Sequence, residues 1–233
     1  MNRVVALVAG LGDGAAVAAR AGPPSAGTLE RLARIRAPRR AAQSALARPL
    51  AALAASRLLG RPYPASLVEE SRDQPWLRAA GGLALSVAHS RERVAVVVGA
   101  GPLGVDLEYC DPRRDGFALA RQACAASEVA WLLRGTKAQR LARFYLLFTL
   151  REAAFKAGLR PGAFGGEPCL GRGAARFGRA SRAVDGYRIS IAGAGPLDVE
   201  WFGIENGELV PLGSDRSAPQ DGRGRAAVAA HYL

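Results

Sequence analysis

The sequence predicts an α+β fold. Three observations carry that reading: short β-branched runs bounded by glycine, alanine- and leucine-rich helical stretches between them, and an order of elements that restarts near Gly104. Residues 4–9, 83–88, 94–99 and 105–108 read as strands, and 67–70 as a short one. A helix is expected over 29–35, capped by Thr28. A second covers 40–59 and is closed by Gly60. Further helices are expected at 117–124 and 127–133. A long one over 138–157 should turn Phe144, Leu147, Phe148, Ala154 and Phe155 to one face. Residues 187–192, 198–204, 208–212 and 226–230 read as strands of a later sheet, with Asn206-Gly207 as a hairpin turn and 213–225 as a polar loop. The glycine-rich break at 99–102 divides the chain into two halves, 1–103 and 104–233, each mixing helices with mainly antiparallel strands.

Composition narrows the function classes. Of 233 residues 49% are apolar, enough for a packed core. No apolar run approaches the roughly 20 residues that span a bilayer, so no membrane segment is expected. Arg3 and the run 4–9 imitate a secretory leader, but Gly10, Gly12 and Gly14 break the run too early, and a strand explains the same letters. Cys110, Cys124 and Cys169 are odd in number and lack metal-ligand spacing, which fits a reducing cytoplasm. With His89 and His231 as the two histidines, multi-histidine metal chemistry has little material. The net charge of +12 points to an acidic or phosphorylated partner. Arginine is the default cation, and Lys137 and Lys156 are the two lysines, so each marks a place where a compact ammonium could be required.

Four groups of residues could do chemistry. Asp106 and Glu108 are two apart on a strand and leave the same face. Paired carboxylates of this kind suit Mg²⁺, with Mn²⁺ as a substitute, though the pattern alone equally describes solvent-facing acids. Glu152 and Lys156 share a helix face, either as an i,i+4 ion pair or as a metal ligand and a phosphate-binding cation. Ser86, His89 and Ser90 place hydroxyls and an imidazole at a strand end, where they could grip a phosphate or an adenine edge; the alternative is a turn with an exposed histidine. No G-x-S-x-G elbow surrounds Ser86, so a nucleophilic triad is not expected. Residues 10–15 loosely match a dinucleotide fingerprint, but Gly22-Pro23-Pro24 cuts the following helix short, and a glycine-rich turn is the better reading.

Three segments, in order, resemble the 4′-phosphopantetheinyl transferases. They are Ser86-Val87-Ala88-His89-Ser90, then Gly104-Val105-Asp106-Leu107-Glu108, then the stretch from Phe148 through Arg151-Glu152 to Lys156. The family pattern is S-x-S/A-H-S, G-V/I-D-I/L-E and W-T/S-x-K-E-A/S-x-x-K. The resemblance runs from about Leu46 to Lys156. Phe148 and Arg151 depart from it, standing where tryptophan and lysine are usual. So does Gln74, beside the retained Pro75, where a basic residue commonly helps to hold coenzyme A. Gln43 falls near another basic position, with Arg39, Arg40 and Arg48 close by.

The resemblance implies a pseudo-two-fold, monomeric, cytoplasmic enzyme with its active site between two halves. It implies Mg²⁺ held by Asp106, Glu108 and Glu152. Coenzyme A would be bound by Arg40, Arg48, Gln74, Pro75, Ser86, His89 and Lys156. Glu152 and Lys156 would be catalytic, with Glu152 the candidate base for a carrier serine. The partner would be an acidic apo acyl or peptidyl carrier protein, and neither nucleic acid nor membrane. A non-catalytic basic protein of the same fold, binding nucleic acid or an acidic protein, is the alternative.

Overall fold

The computed structural model describes residues 1–69, 75–159, 169–170 and 177–213. Among them the strands are β1 (Asn2–Gly10), β2 (Val68–Glu69), β3 (Trp76–Leu77), β4 (Leu83–Ser90), β5 (Arg93–Ala100), β6 (Leu103–Tyr109), β7 (Gly178–Val184), β8 (Tyr187–Gly193), β9 (Leu197–Glu205) and β10 (Glu208–Pro211). The helices are α1 (Gly14–Ala21), α2 (Ala26–Arg34), α3 (Pro38–Leu59), α4 (Gly116–Ala123), α5 (Ala126–Leu133) and α6 (Lys137–Lys156). The fold is α+β, as the sequence predicts.

Alternation along β1 sets the layers. Val5, Leu7 and Ala9 face a core shared with Leu46, Leu50 and Leu53 of α3. Val4, Ala6 and Val8 face the opposite way, toward Val105, Leu107, Ile189 and Ile191. Because side chains alternate with period two, one strand can serve two cores only if both of its faces are covered. The result is four layers: α3, a five-stranded sheet β10-β9-β1-β5-β4, a three-stranded sheet β6-β8-β7, and α6. β1 pairs antiparallel with β5 and parallel with β9, so the larger sheet is mixed.

Several expectations need revision. α2 is capped by Ser25, whose hydroxyl accepts the Thr28 N–H at 3.2 Å, whereas Thr28 is buried and its hydroxyl bonds to that of Ser25. The strands expected to form one later sheet part company. β8 joins β6 and β7, while β9 and β10 cross back to β1, where Phe202 and Ile204 complete the α3 core. β7 escapes the sequence reading because its burial alternates between half-buried and exposed, with no apolar run to announce it. Phe155 lies exposed rather than in the buried face of α6. Residues 226–230 and nearly all of 213–225 lie outside the described residues, as do Gln74 and His231.

The local punctuation is otherwise as expected. Pro38 opens α3, where its missing N–H costs nothing, and Gly60 closes it at φ +66°. Asn206 and Gly207, both at positive φ, form the turn between β9 and β10. Beyond β1 the glycine-rich stretch makes a tight turn and then the eight-residue α1, ended by Gly22 at φ +76°. Among the described residues, no helix is long and apolar enough to cross a membrane.

Candidate active site

With Val105 and Leu107 committed to the core between the sheets, Asp106 and Glu108 must leave the other face of β6, the face that α6 covers. Gly104 sets how closely that helix lies. A β-carbon built there would stand 2.0 Å from the Ala153 carbonyl oxygen and 2.7 Å from the Ala157 nitrogen. The sequence leaves open whether a backbone or a ligand needs that space. The backbone of α6 takes it.

Close approach brings Lys156 onto the acidic strand. Its Nζ lies 2.7 Å from Asp106 Oδ1 and donates to the Val105 carbonyl oxygen at 3.1 Å. The i,i+4 pairing with Glu152 is replaced by this longer-range one. Asp106 is buried, and its second oxygen, Oδ2, has no hydrogen-bond partner among the described residues. Burial raises the Asp106 carboxyl against the pull of Lys156. Burial also raises Glu152 and Glu108, and the charge of Asp106 raises both further. Three acids that each resist ionisation therefore share one region of the molecule.

His89 leaves β4 half-buried, with its pKa pushed down to about 4 by burial first, then by Arg40 and Lys156. Arg40, exposed at the start of α3, is itself held low by burial, Arg31 and Arg48. Arg48 is buried, and its guanidinium reaches back to the Ser44 carbonyl oxygen at 3.5 Å. This crowd of cations around a neutral imidazole favours an incoming anion. Gln43, near an expected basic position, is buried and donates to the Arg91 carbonyl oxygen at 2.8 Å, tying α3 to the β4–β5 turn. Pro75 is half-buried just before β3.

Two serines join the sheets. β4 and β6 are edge strands of different sheets, and they run side by side in the same sense. Ser86 Oγ accepts the Val105 N–H and Ser90 Oγ accepts the Tyr109 N–H, both at 3.1 Å. Ser90 also donates to Glu108 Oε2 at 3.2 Å. Beyond Glu108 opens a cleft of about 570 Å³ lined by Arg91, Tyr109, Arg113, Arg114 and Tyr145.

A buried ion pair escaped the sequence reading. Arg151, in the position of a usual lysine, is fully buried on α6 and paired with Glu128 of α5. Glu128 also accepts the N–H groups of Ala125 at 3.1 Å, Cys169 at 2.5 Å and Leu170 at 3.3 Å. It thereby ties three segments together beside Glu152. The signal available was an arginine inside an apolar helix, which requires a buried partner.

Among the described residues, no three His, Cys, Asp or Glu side chains already stand together as a metal cage. The donors present still fit a hard cation. They are all carboxylate oxygens, Asp106 repels both of the others, and Asp106 Oδ2 is a buried acceptor with no hydrogen-bond partner among the described residues.

Acids that repel one another, with one lysine beside a cationic strand end, are an arrangement suited to binding a divalent ion and a phosphorylated ligand. Residues 102–166 match the family model described as the 4′-phosphopantetheinyl transferase superfamily. The match takes in Gly104, Asp106, Glu108, Glu152 and Lys156. No curated protein matches the chain.

Proposed function

We propose that the whole chain transfers the 4′-phosphopantetheine arm of coenzyme A to a serine of an apo acyl or peptidyl carrier protein and releases 3′,5′-ADP. The observation that carries this reading is the contact of Lys156 with Asp106, made on the same face as Glu108 and Glu152. Asp106, Glu108 and Glu152 would hold Mg²⁺, and Mn²⁺ would substitute for it. A bound divalent ion neutralises charge on the pyrophosphate oxygens. Lys156, its side chain 32% exposed, can release Asp106 and offer its ammonium to a phosphate. His89, Arg40 and Arg48 would receive the 3′-phosphate end of the nucleotide. Ser86 would support the seam beneath them. Pro75 stays in the nucleotide-side proposal, together with Gln74.

In the reaction, the carrier serine oxygen bonds to the phosphorus that bears the pantetheine arm. The bond from that phosphorus to the bridging pyrophosphate oxygen breaks, and the electron pair leaves on 3′,5′-ADP. Glu152 is the candidate base for the serine proton. The net charge of +12 favours an acidic carrier. We place the reaction in the cytoplasm, with the protein as a monomer whose site draws on residues of both 1–103 and 104–233.

The direct test mixes the protein with labelled coenzyme A, Mg²⁺ and a panel of apo carriers. Labelling of a carrier serine is expected, and Glu152→Ala should abolish it while leaving the circular dichroism spectrum unchanged. No labelling across several carriers would overturn the transferase reading in favour of a non-catalytic binding protein.

A further inference from the structure

We infer that Ser90 is a positioning residue. Its hydroxyl holds the Glu108 carboxylate in place and thereby sets the protein's affinity for a divalent cation. The inference rests on the proposed cation site.

Ser90 and Ser86 make the same contact with the backbone of β6, four residues apart on each strand: each hydroxyl accepts one N–H, from Tyr109 and from Val105. What distinguishes Ser90 is its second bond. Fixed by the Tyr109 N–H, its one proton is directed at Glu108 Oε2, 3.2 Å away. Glu108 has somewhere else to go. Arg114, which lines the same cleft as Ser90 and Glu108, attracts it. Arg114 makes a cation–π contact with Phe148, 5.8 Å from the ring centroid, and a guanidinium on a flexible stem could draw a released carboxylate toward it. Asp106 repels Glu108. The Ser90 hydrogen bond holds the carboxylate in one orientation against both influences.

A residue that only stitched the sheets would behave like Ser86, so Ser86 is the internal control. Mn²⁺ binding to the full chain without coenzyme A, followed by the electron paramagnetic resonance of free Mn²⁺, reads cation affinity apart from activity. Ser90→Ala should weaken Mn²⁺ about tenfold, the loss appropriate to a hydrogen bond on a charged group. Ser90→Thr, which keeps the hydroxyl, should restore it. Ser86→Ala should lower the thermal midpoint and leave the Mn²⁺ affinity unchanged. Wild-type affinity in Ser90→Ala, or equal weakening in Ser86→Ala, overturns the positioning role and leaves the cation site standing. Absence of Mn²⁺ binding by the wild-type chain, with or without coenzyme A, overturns both.

Discussion

Gly104 lets its strand meet the Ala153 carbonyl as no other residue at 104 could: any β-carbon there would lie 2.0 Å from that oxygen, inside the space of α6. That contact fixes the distance between the helix carrying Glu152 and Lys156 and the strand carrying Asp106 and Glu108. Gly104→Ala must push the helix outward. Overpacking of this kind costs about 1–3 kcal/mol, and the displaced helix should lose the Lys156–Asp106 bond. Urea denaturation should show the destabilisation. Carrier labelling should fall far more than the folded fraction does, and a fall in proportion to folding would remove the contact from the mechanism.

Glu128→Ala would leave the Arg151 guanidinium buried without its carboxylate. Breaking a buried pair from one side costs about 3–5 kcal/mol. The same variant frees the N–H groups of Cys169 and Leu170. We expect a lower denaturation midpoint, with a larger loss than Glu30→Ala, whose partner Arg34 forms an exposed pair.

His89 gives a pH signature. Its folded pKa of about 4 lies below the ordinary value of 6.5. As the pH falls, the unfolded chain therefore takes up the proton first, and the stability this group contributes is lost between about 6.5 and 4. His89→Asn should flatten that part of the stability–pH curve relative to wild type, measured by urea titration at several pH values. An unchanged slope would show that His89 titrates normally.

The raised carboxyls of Asp106, Glu108 and Glu152 set a second pH expectation. Protons compete with a divalent ion for these oxygens, so Mn²⁺ affinity should rise as the pH climbs out of the carboxylate range. Chelation should stop carrier labelling, and added Mg²⁺ or Mn²⁺ should restore it. Labelling that survives exhaustive chelation would exclude the ion from the reaction.

Salt should act on the partner more than on the chemistry. Exposed charges are screened within about 10 Å at 0.1 M ionic strength, so added salt should raise KM for an acidic carrier with little change in kcat. A salt-independent KM would point to apolar docking.

The residue types and their local order determined much of this protein. The alternation of Val105, Asp106, Leu107 and Glu108 dictates that apolar and acidic side chains leave opposite faces, and this is legible because strand periodicity is local. The glycine and proline stops of α3, the turn at Asn206-Gly207 and the α+β class were legible for the same reason. Tertiary structure decided what each group meets. It chose Asp106 over Glu152 as the partner of Lys156, gave Arg151 to Glu128, spent the Ser86 hydroxyl on the Val105 N–H and carried β9 and β10 back to β1. Those pairings join residues tens of positions apart, and they depend on how closely two layers pack. Sequence spacing carries no record of that distance; at Gly104, the absence of a side chain was its one trace.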